Sequence, residues 1–271
     1  MTRQTTDGGR VALVTGAGRG IGAAVVHRMA RSGWNVVATD RCADDPRVPY
    51  PLAGREQLAA VAAQHPDKVV DVVADVQDLA ALRRAVDIAR DRFGGLDAAV
   101  AGAGLIAGGK PLWETGESEW EAEWEALFSV GVNGVANLAR AAVPALLERP
   151  RPRNGRFVAL ASAAAHHGLW HLAGYNAAKH AVVGLVKGLA HDLRGTGICA
   201  TAVSPGSTRT DMLEATARLY GLDDVEEFAT HQLVDRLLDP DEVAAAVCFL
   251  CSPESSAVTG TVVHADGGFT S

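Results

Sequence analysis

Seven short runs of β-branched and small apolar residues recur along the chain: V-A-L-V-T (11 to 15), N-V-V-A-T (35 to 39), V-V-D-V-V-A (69 to 74), L-D-A-A-V-A (96 to 101), R-F-V-A-L-A (156 to 161), I-C-A-T-A-V (198 to 203) and T-V-V-H-A (261 to 265). Stretches with helical apolar spacing separate them. Between the first two runs, Ile21, Ala24, Val25 and Met29 share one face of a helix, and Gly33 follows as its stop signal. Continuous apolar strands alternating with helices need cover on both faces, so the pattern predicts an α/β fold with a doubly wound parallel seven-stranded sheet. At 271 residues and 48% hydrophobic, one such domain can account for the whole chain, 1–271. No internal repeat, low-complexity tract or interdomain linker interrupts it.

Charge narrows the partners. With 25 Lys and Arg against 32 Asp and Glu the formal charge is -7, which repels a polyanion and argues against nucleic acid. The opening M-T-R-Q-T-T-D-G-G-R lacks the apolar stretch of a signal peptide, and no uninterrupted apolar run is long enough to span a bilayer. The expectation is a soluble, cytoplasmic protein with a small-molecule partner and no membrane role. Four scattered cysteines fit a reducing compartment. Cys248 and Cys251 have C-x-x-C spacing, but they lie in the apolar helical pattern D-E-V-A-A-A-V-C-F-L-C-S-P with no second Cys or His pair to complete a metal site. They read as core cysteines, and no metal is expected.

The segment T-G-A-G-R-G-I-G (15 to 22) leaves a strand and enters a helix. Glycines there allow a tight turn and let backbone amides approach a pyrophosphate at a helix N-terminus, the signature of dinucleotide binding. Asp40 ends the second strand eighteen residues beyond Gly22, where a carboxylate can accept bonds from ribose hydroxyls and repel a 2′-phosphate, favouring NAD. Arg41 is the counterargument, because its guanidinium could pair with that phosphate. Two connections exceed what the fold requires. R-C-A-D-D-P-R-V-P-Y-P-L-A-G (41 to 54) has three prolines and reads as an extended, ordered loop. The stretch 206–239, with helical character around Leu213 to Tyr220, lies where open α/β sheets bind ligands and reads as a substrate lid.

Tyr175 and Lys179 stand four apart in Y-N-A-A-K, on one face of a helix marked by Ala178, Val182 and Leu185. A tyrosine with an ordinary pKa of about 10 must be poised lower to exchange a proton with an alcohol near neutrality, and a nearby ammonium favours the tyrosinate. Ser162 follows the fifth strand, where its hydroxyl could hold a substrate oxygen; a turn or cap serine is the plainer explanation. His166, His167 and His171 read as solvated loop histidines near the pocket mouth.

Taken together these segments resemble the short-chain dehydrogenase/reductase family across essentially the whole chain: T-G-x-x-x-G-x-G (15 to 22), A-D-V (74 to 76), Ser162, Y-x-x-x-K (175 to 179), P-G-S-T-R-T (205 to 210) and A-D-G-G (265 to 268). The resemblance implies a single-domain Rossmann fold and an NAD-dependent alcohol dehydrogenase or carbonyl reductase with Ser162, Tyr175 and Lys179 as catalytic residues. It implies a nucleotide site of Gly16, Arg19, Gly20, Ile21, Gly22, Asp40, Arg41, Asp75, Val76, Ala101, Gly102, Ala103, Pro205, Gly206, Ser207, Thr208 and Thr210, joined by Tyr175 and Lys179. It also implies a homotetramer, with Glu119 to Leu147 as the candidate helical interface. Two departures stand out. A-G-A-G replaces the common N-N-A-G at 101 to 104, and the family's active-site asparagine falls on Gly131, with Asn133 on another helix face. A proton relay from Lys179 then needs water or a local helix distortion in its place.

The loop sequence D-R-C-A-D-D-P-R-V-P-Y-P-L-A, with A-A-V-A-G-A-G-L-I-A-G-G-K-P-L-W-E-T, resembles the mycofactocin-associated branch of the family. That resemblance implies an inserted loop over the adenosine end, NAD retained through turnover, and mycofactocin as electron acceptor. Met212, Leu213, Leu219 and Tyr220 are apolar candidates for the substrate wall, or equally for packing of the lid itself. Two other readings stand beside this one: a freely exchanging NAD(P)H-dependent carbonyl or 3-oxoacyl thioester reductase, and a non-catalytic dinucleotide-binding protein.

Overall fold

The computed structural model describes residues 9–269; most of the N-terminal stretch read above for a signal peptide lies outside them. Strands β1 (Val11–Thr15), β2 (Asn35–Asp40), β3 (Val69–Val73), β4 (Ala98–Ala101), β5 (Arg156–Leu160), β6 (Cys199–Pro205) and β7 (Val262–Ala265) form one sheet in the order β3-β2-β1-β4-β5-β6-β7. Every pairing is parallel. The alternation of strand and helix predicted this, because parallel neighbours need helical crossovers.

Side-chain alternation along β1 sorts the core. Val11 and Leu13 face one cluster, where they meet Leu82 and Val86 of α3 (Leu79–Phe93), Leu138 and Leu146 of α5 (Gly134–Glu148), and Val182 and Val186 of α6 (Ala173–Asp192). Ala12 and Val14 face the other, with Val25 and Met29 of α1 (Gly20–Arg31), Leu58 of α2 (Arg55–Ala63), and Val243 and Val247 of α8 (Pro240–Cys251). Cys251 is fully buried there and Cys248 packs against the same cluster, so both are core cysteines as expected.

Helix α4 (Glu117–Phe128) runs through a π-helical segment, Ser129–Asn133, into α5. This run, 117–148, is long and apolar enough to cross a membrane by length and composition, which the sequence reading did not anticipate; 56% of its apolar window is buried inside the molecule. Its partners are α3 and α6, so it is a core helix of this fold. The order of strands reverses between β1 and β4, and ligands of open α/β sheets bind outside the carboxyl ends at that switch point. Within 206–239 the helical character expected around Leu213 to Tyr220 is present as α7 (Asp211–Tyr220), followed by a 3-10 segment, Val225–His231. Ala217, Phe228 and Leu237 give this candidate lid a small core of its own.

Candidate active site

A cleft of about 780 Å³ opens at the carboxyl edge of the sheet and gathers most of the residues singled out from sequence. Its floor begins where β1 ends. Gly22 admits no side chain, since a Cβ there would stand 2.0 Å from Gly16 O, and one on Gly16 would stand 2.7 Å from the Ala103 amide. The turn therefore lies flat on the 102–103 segment. Thr15 pins that segment: its hydroxyl accepts from the amides of Gly102 (3.1 Å) and Ala103 (3.3 Å), which fixes the backbone where asparagine side chains are missing. Among the described residues no side chain caps the start of α1, so its first amides and positive dipole end are left for an anion. A bare-glycine cradle ending on an uncapped helix fits a dinucleotide pyrophosphate.

Asp40 lines the cleft and accepts from the Gly18 amide at 3.0 Å, which sets its carboxylate beside the glycine turn. Arg41 lines it too, but its guanidinium is committed: Nη1 lies 2.7 Å from Asp45 and Nε 3.3 Å from Asp75. Arg19 also lines the cleft, and its guanidinium is engaged in a similar way. Its Nη1 pairs with Asp211 of α7 at 2.6 Å and its Nη2 donates to Pro51 O at 2.9 Å, joining the glycine turn to both the inserted loop and the lid.

The inserted loop is anchored rather than draped. Val48, Tyr50 and Ala53 are buried, and the Tyr50 hydroxyl accepts from the Ile106 amide at 2.8 Å. Burial pushes the Tyr50 phenol up to about 12, so it remains protonated. Tyr50, Leu52 and Ala53 form one wall of the cleft.

Ser162, Tyr175 and Lys179 meet at the far end of the cleft. Ser162 follows β5 with extended backbone and accepts from the Ala164 amide at 3.1 Å, so it does cap the 3-10 turn Ala163–Ala165, and its hydroxyl is close enough to Tyr175 to influence the phenol. Tyr175 and Lys179 are each 7% exposed on one face of α6. Burial raises the Tyr175 phenol above its ordinary value, and the nearby Ser162 hydroxyl opposes that rise. The expectation that Lys179 lowers Tyr175 is corrected here: Nζ lies 5.6 Å from the centre of the tyrosine ring and donates to Leu160 O at 3.0 Å. Gly104, whose Cβ would stand 3.7 Å from Nζ, leaves the lysine its space.

Burial alone pushes Lys179 down to about 8 from 10.5. In nucleotide-free protein the ammonium is charged in both folded and unfolded states below pH 8. Between pH 8 and 10.5 the folded form sheds a proton that the unfolded form keeps, so stability rises with pH by about 3 kcal/mol. The buried thiols of Cys248 and Cys251, pushed by burial above their ordinary value of 9.0, oppose this rise from pH 9 upward, and the buried tyrosines oppose it only above 10. In thermal unfolding of nucleotide-free protein, wild type should gain stability relative to Lys179→Met as pH rises from 8 to 10; equal slopes in the two proteins would contradict the lysine's contribution.

The segment expected to face the nicotinamide follows β6. Pro205, Gly206, Ser207, Thr208 and Thr210 all line the cleft, and Thr210 caps α7 by accepting from the Leu213 amide. Gln232 Oε1 and Asp266 O would stand 2.2 and 2.5 Å from a Cβ on Gly206, which leaves glycine as the residue that fits. Gly16, Gly20, Ile21, Gly22, Asp75, Val76, Gly102 and Ala103 line the nucleotide half. Ala101 does not join them as expected: it is buried at the end of β4, and Gly102 through Ile106 form that wall.

The π-helical segment spans the Gly131 position. Gly131 is buried with open space where a Cβ would be, and Asn133 is exposed, so the asparagine role does not pass to Asn133. A local helix distortion of the kind the glycine demands is present. Of the apolar wall candidates, Met212, Leu213 and Tyr220 line the cleft, whereas Leu219 packs into the main core. Trp170, Phe228, His231 and Phe269 also line it and were not picked out from sequence; Phe228 and His231 belong to the short 3-10 segment Val225–His231 and the other two to irregular segments, none with a periodic pattern. His166 turns to Ser204 (2.9 Å), His167 stacks near Phe269 and His171 on Trp170.

With this geometry in view, comparison with known proteins is consistent. Residues 16–270 match a family model described as enoyl-(acyl carrier protein) reductase. An uncharacterized NAD-dependent oxidoreductase of Mycobacterium tuberculosis is 34% identical over 270 residues, covering 96% of this chain and 95% of the relative. Carveol dehydrogenase from Mycobacterium avium, solved in complex with NAD, superimposes with a TM-score of 0.88 at 31% identity over 97% of this chain and 98% of that one. A short chain dehydrogenase from Mycobacterium paratuberculosis bound to NAD gives 0.85 at 30% identity, covering 96% and 97%. The chain belongs to the short-chain dehydrogenase/reductase family and is an oxidoreductase of that class.

Proposed function

We propose that this protein transfers hydride between NAD and an apolar alcohol or its carbonyl, with NAD kept beneath the inserted loop through turnover. The observation that carries the reading is the convergence in one cleft of a bare-glycine cradle walled by Asp40 with Ser162 and a buried Tyr175. When bound, NAD supplies the hydride acceptor. Ser162 holds the substrate oxygen by hydrogen bond, and Tyr175 takes the hydroxyl proton during oxidation and returns it during reduction. Lys179, with Tyr175, would hold the nicotinamide ribose hydroxyls. Asp75 and Val76 would flank the adenine, and Pro205 to Thr210 would hold the nicotinamide side. Water reaching the π-helical turn would complete the proton path beside Gly131.

NAD is preferred to NADP because Asp40 repels a 2′-phosphate and both nearby guanidiniums, Arg19 and Arg41, are already paired with carboxylates. Retention is supported by the buried anchor of Tyr50 and the Arg19 clasp to Pro51. Electrons would then leave through the substrate mouth to an external acceptor, mycofactocin by the narrower resemblance. Trp170, Tyr220 and Phe228 suit a bulky apolar substrate. A cytoplasmic homotetramer completes the reading; light scattering should give four times the mass of the chain.

Denaturing the purified protein and analysing the released nucleotide tests retention: stoichiometric NAD is expected. Empty protein whose activity saturates with added NADPH would instead favour the freely exchanging reductase, the reading closer to the acyl carrier protein reductase description of the family model.

A further inference from the structure

The inserted loop carries an acid that the chemistry above leaves unused. Asp45 is 2% exposed, behind the cleft wall, yet it is surrounded by cations. Arg47 binds it through Nε (2.8 Å) and Nη2 (2.6 Å), and Arg41 through Nη1 (2.7 Å). These bonds hold its carboxyl well below the usual carboxylate range.

The two arginines have different surroundings. Arg47 turns away from the nucleotide, toward Ser129 Oγ at 3.2 Å, Gln77 Oε1 at 3.4 Å and Glu125 Oε1 at 3.5 Å, where it staples the loop to the start of the π-helical segment. Arg41 stands on the cleft wall directly after Asp40, at the end of β2 where an adenosine ribose would lie. A free guanidinium at that place would recruit a 2′-phosphate, which it matches in charge and in fork geometry. Arg41 is not free, because Asp45 takes Nη1 and Asp75 lies 3.3 Å from Nε.

We infer that Asp45 is a specificity-determining positioning residue: by holding Arg41 it withholds from the cleft the one cation of β2 and its following loop that could read a 2′-phosphate. The inference rests on the reading of the cleft as a nicotinamide dinucleotide site. Asp45 acts through Arg41 and does not touch the nucleotide. Its tie to Arg47 serves the loop, while its tie to Arg41 sets the cofactor.

The test quantifies NAD and NADP released from purified, then denatured, protein. Asp45→Asn keeps the shape of the side chain and removes its charge. It should raise the NADP to NAD ratio about ten- to a hundred-fold, the range of one or two charge-assisted hydrogen bonds. Adding Arg41→Ala to that variant should return the ratio to the wild-type value. Arg47→Met breaks the loop staple without releasing Arg41 and should leave the ratio unchanged even if total nucleotide falls. A purely structural role for Asp45 would lower both nucleotides together. An unmoved ratio in Asp45→Asn, a raised ratio that survives Arg41→Ala, or a raised ratio in Arg47→Met overturns the inference while leaving the NAD reading in place. Absence of both nucleotides from wild type overturns the retained-NAD reading and the inference with it.

Discussion

Tyr175→Phe should lower kcat by about 10²- to 10⁴-fold, the usual contribution of a positioned acid or base, while the protein retains its nucleotide. The ring is buried on α6 with Ala178 and Val182 behind it, and removing the hydroxyl leaves that packing in place. What disappears is the proton carrier beside Ser162. Activity in an alcohol-to-dye assay, with bound NAD measured on the same preparation, separates the outcomes. Equal activity in variant and wild type, with NAD bound in both, would leave the non-catalytic reading standing. Loss of activity together with loss of NAD would point to a binding role for the phenol.

The second large effect concerns the loop. Tyr50→Ala deletes a buried ring that packs into the main core and strands the Ile106 amide without its acceptor. Comparable aromatic truncations cost about 3–5 kcal/mol. If most of that anchoring is broken when the nucleotide leaves, release of NAD should accelerate by about 10²- to 10³-fold. Tyr50→Phe keeps the ring and loses only the hydrogen bond, so its release should be faster by about tenfold. Radiolabelled NAD trapped in the protein and chased with unlabelled NAD measures both rates. Release as slow in Tyr50→Ala as in wild type would mean that the loop does not retain the nucleotide.

Much of this architecture was legible because it rests on local pattern. The β-branched runs became seven parallel strands within a residue or two of their predicted ends, since a strand buried on both faces must be apolar throughout. The glycine turn was equally legible: contacts as close as that between Gly22 and the Gly16 carbonyl tolerate no other residue. Ser162, Tyr175 and Lys179 were named for their spacing and do converge.

The misreadings share a cause, which is that partners distant in sequence leave no periodic trace. Arg41 was weighed alone against Asp40, but its state depends on Asp45 four residues later and on Asp75 at the end of another strand. Tyr50 was one residue in a proline-rich loop until the fold brought it to Ile106. Lys179 was expected to act on the tyrosine hydroxyl through helical proximity, yet its long chain carries Nζ past the ring to Leu160 O. The π-helical turn could be asked for from the glycine at 131, but S-V-G-V-N-G alone does not specify a wider helical turn. Ala101 and Leu219 were assigned to the cleft by neighbourhood, and the direction of each side chain sends it into the core.

The most direct test of the central claim is a single turnover on the protein as purified, with no nucleotide added. Mixing it with a panel of bulky apolar secondary alcohols should produce the absorbance of reduced nicotinamide, up to one equivalent per chain, slowed by deuterium at the carbinol carbon and absent in Tyr175→Phe. NAD-loaded protein that forms no reduced nicotinamide with any alcohol, and oxidises none on addition of the matching carbonyls to its NADH-loaded form, would contradict the account.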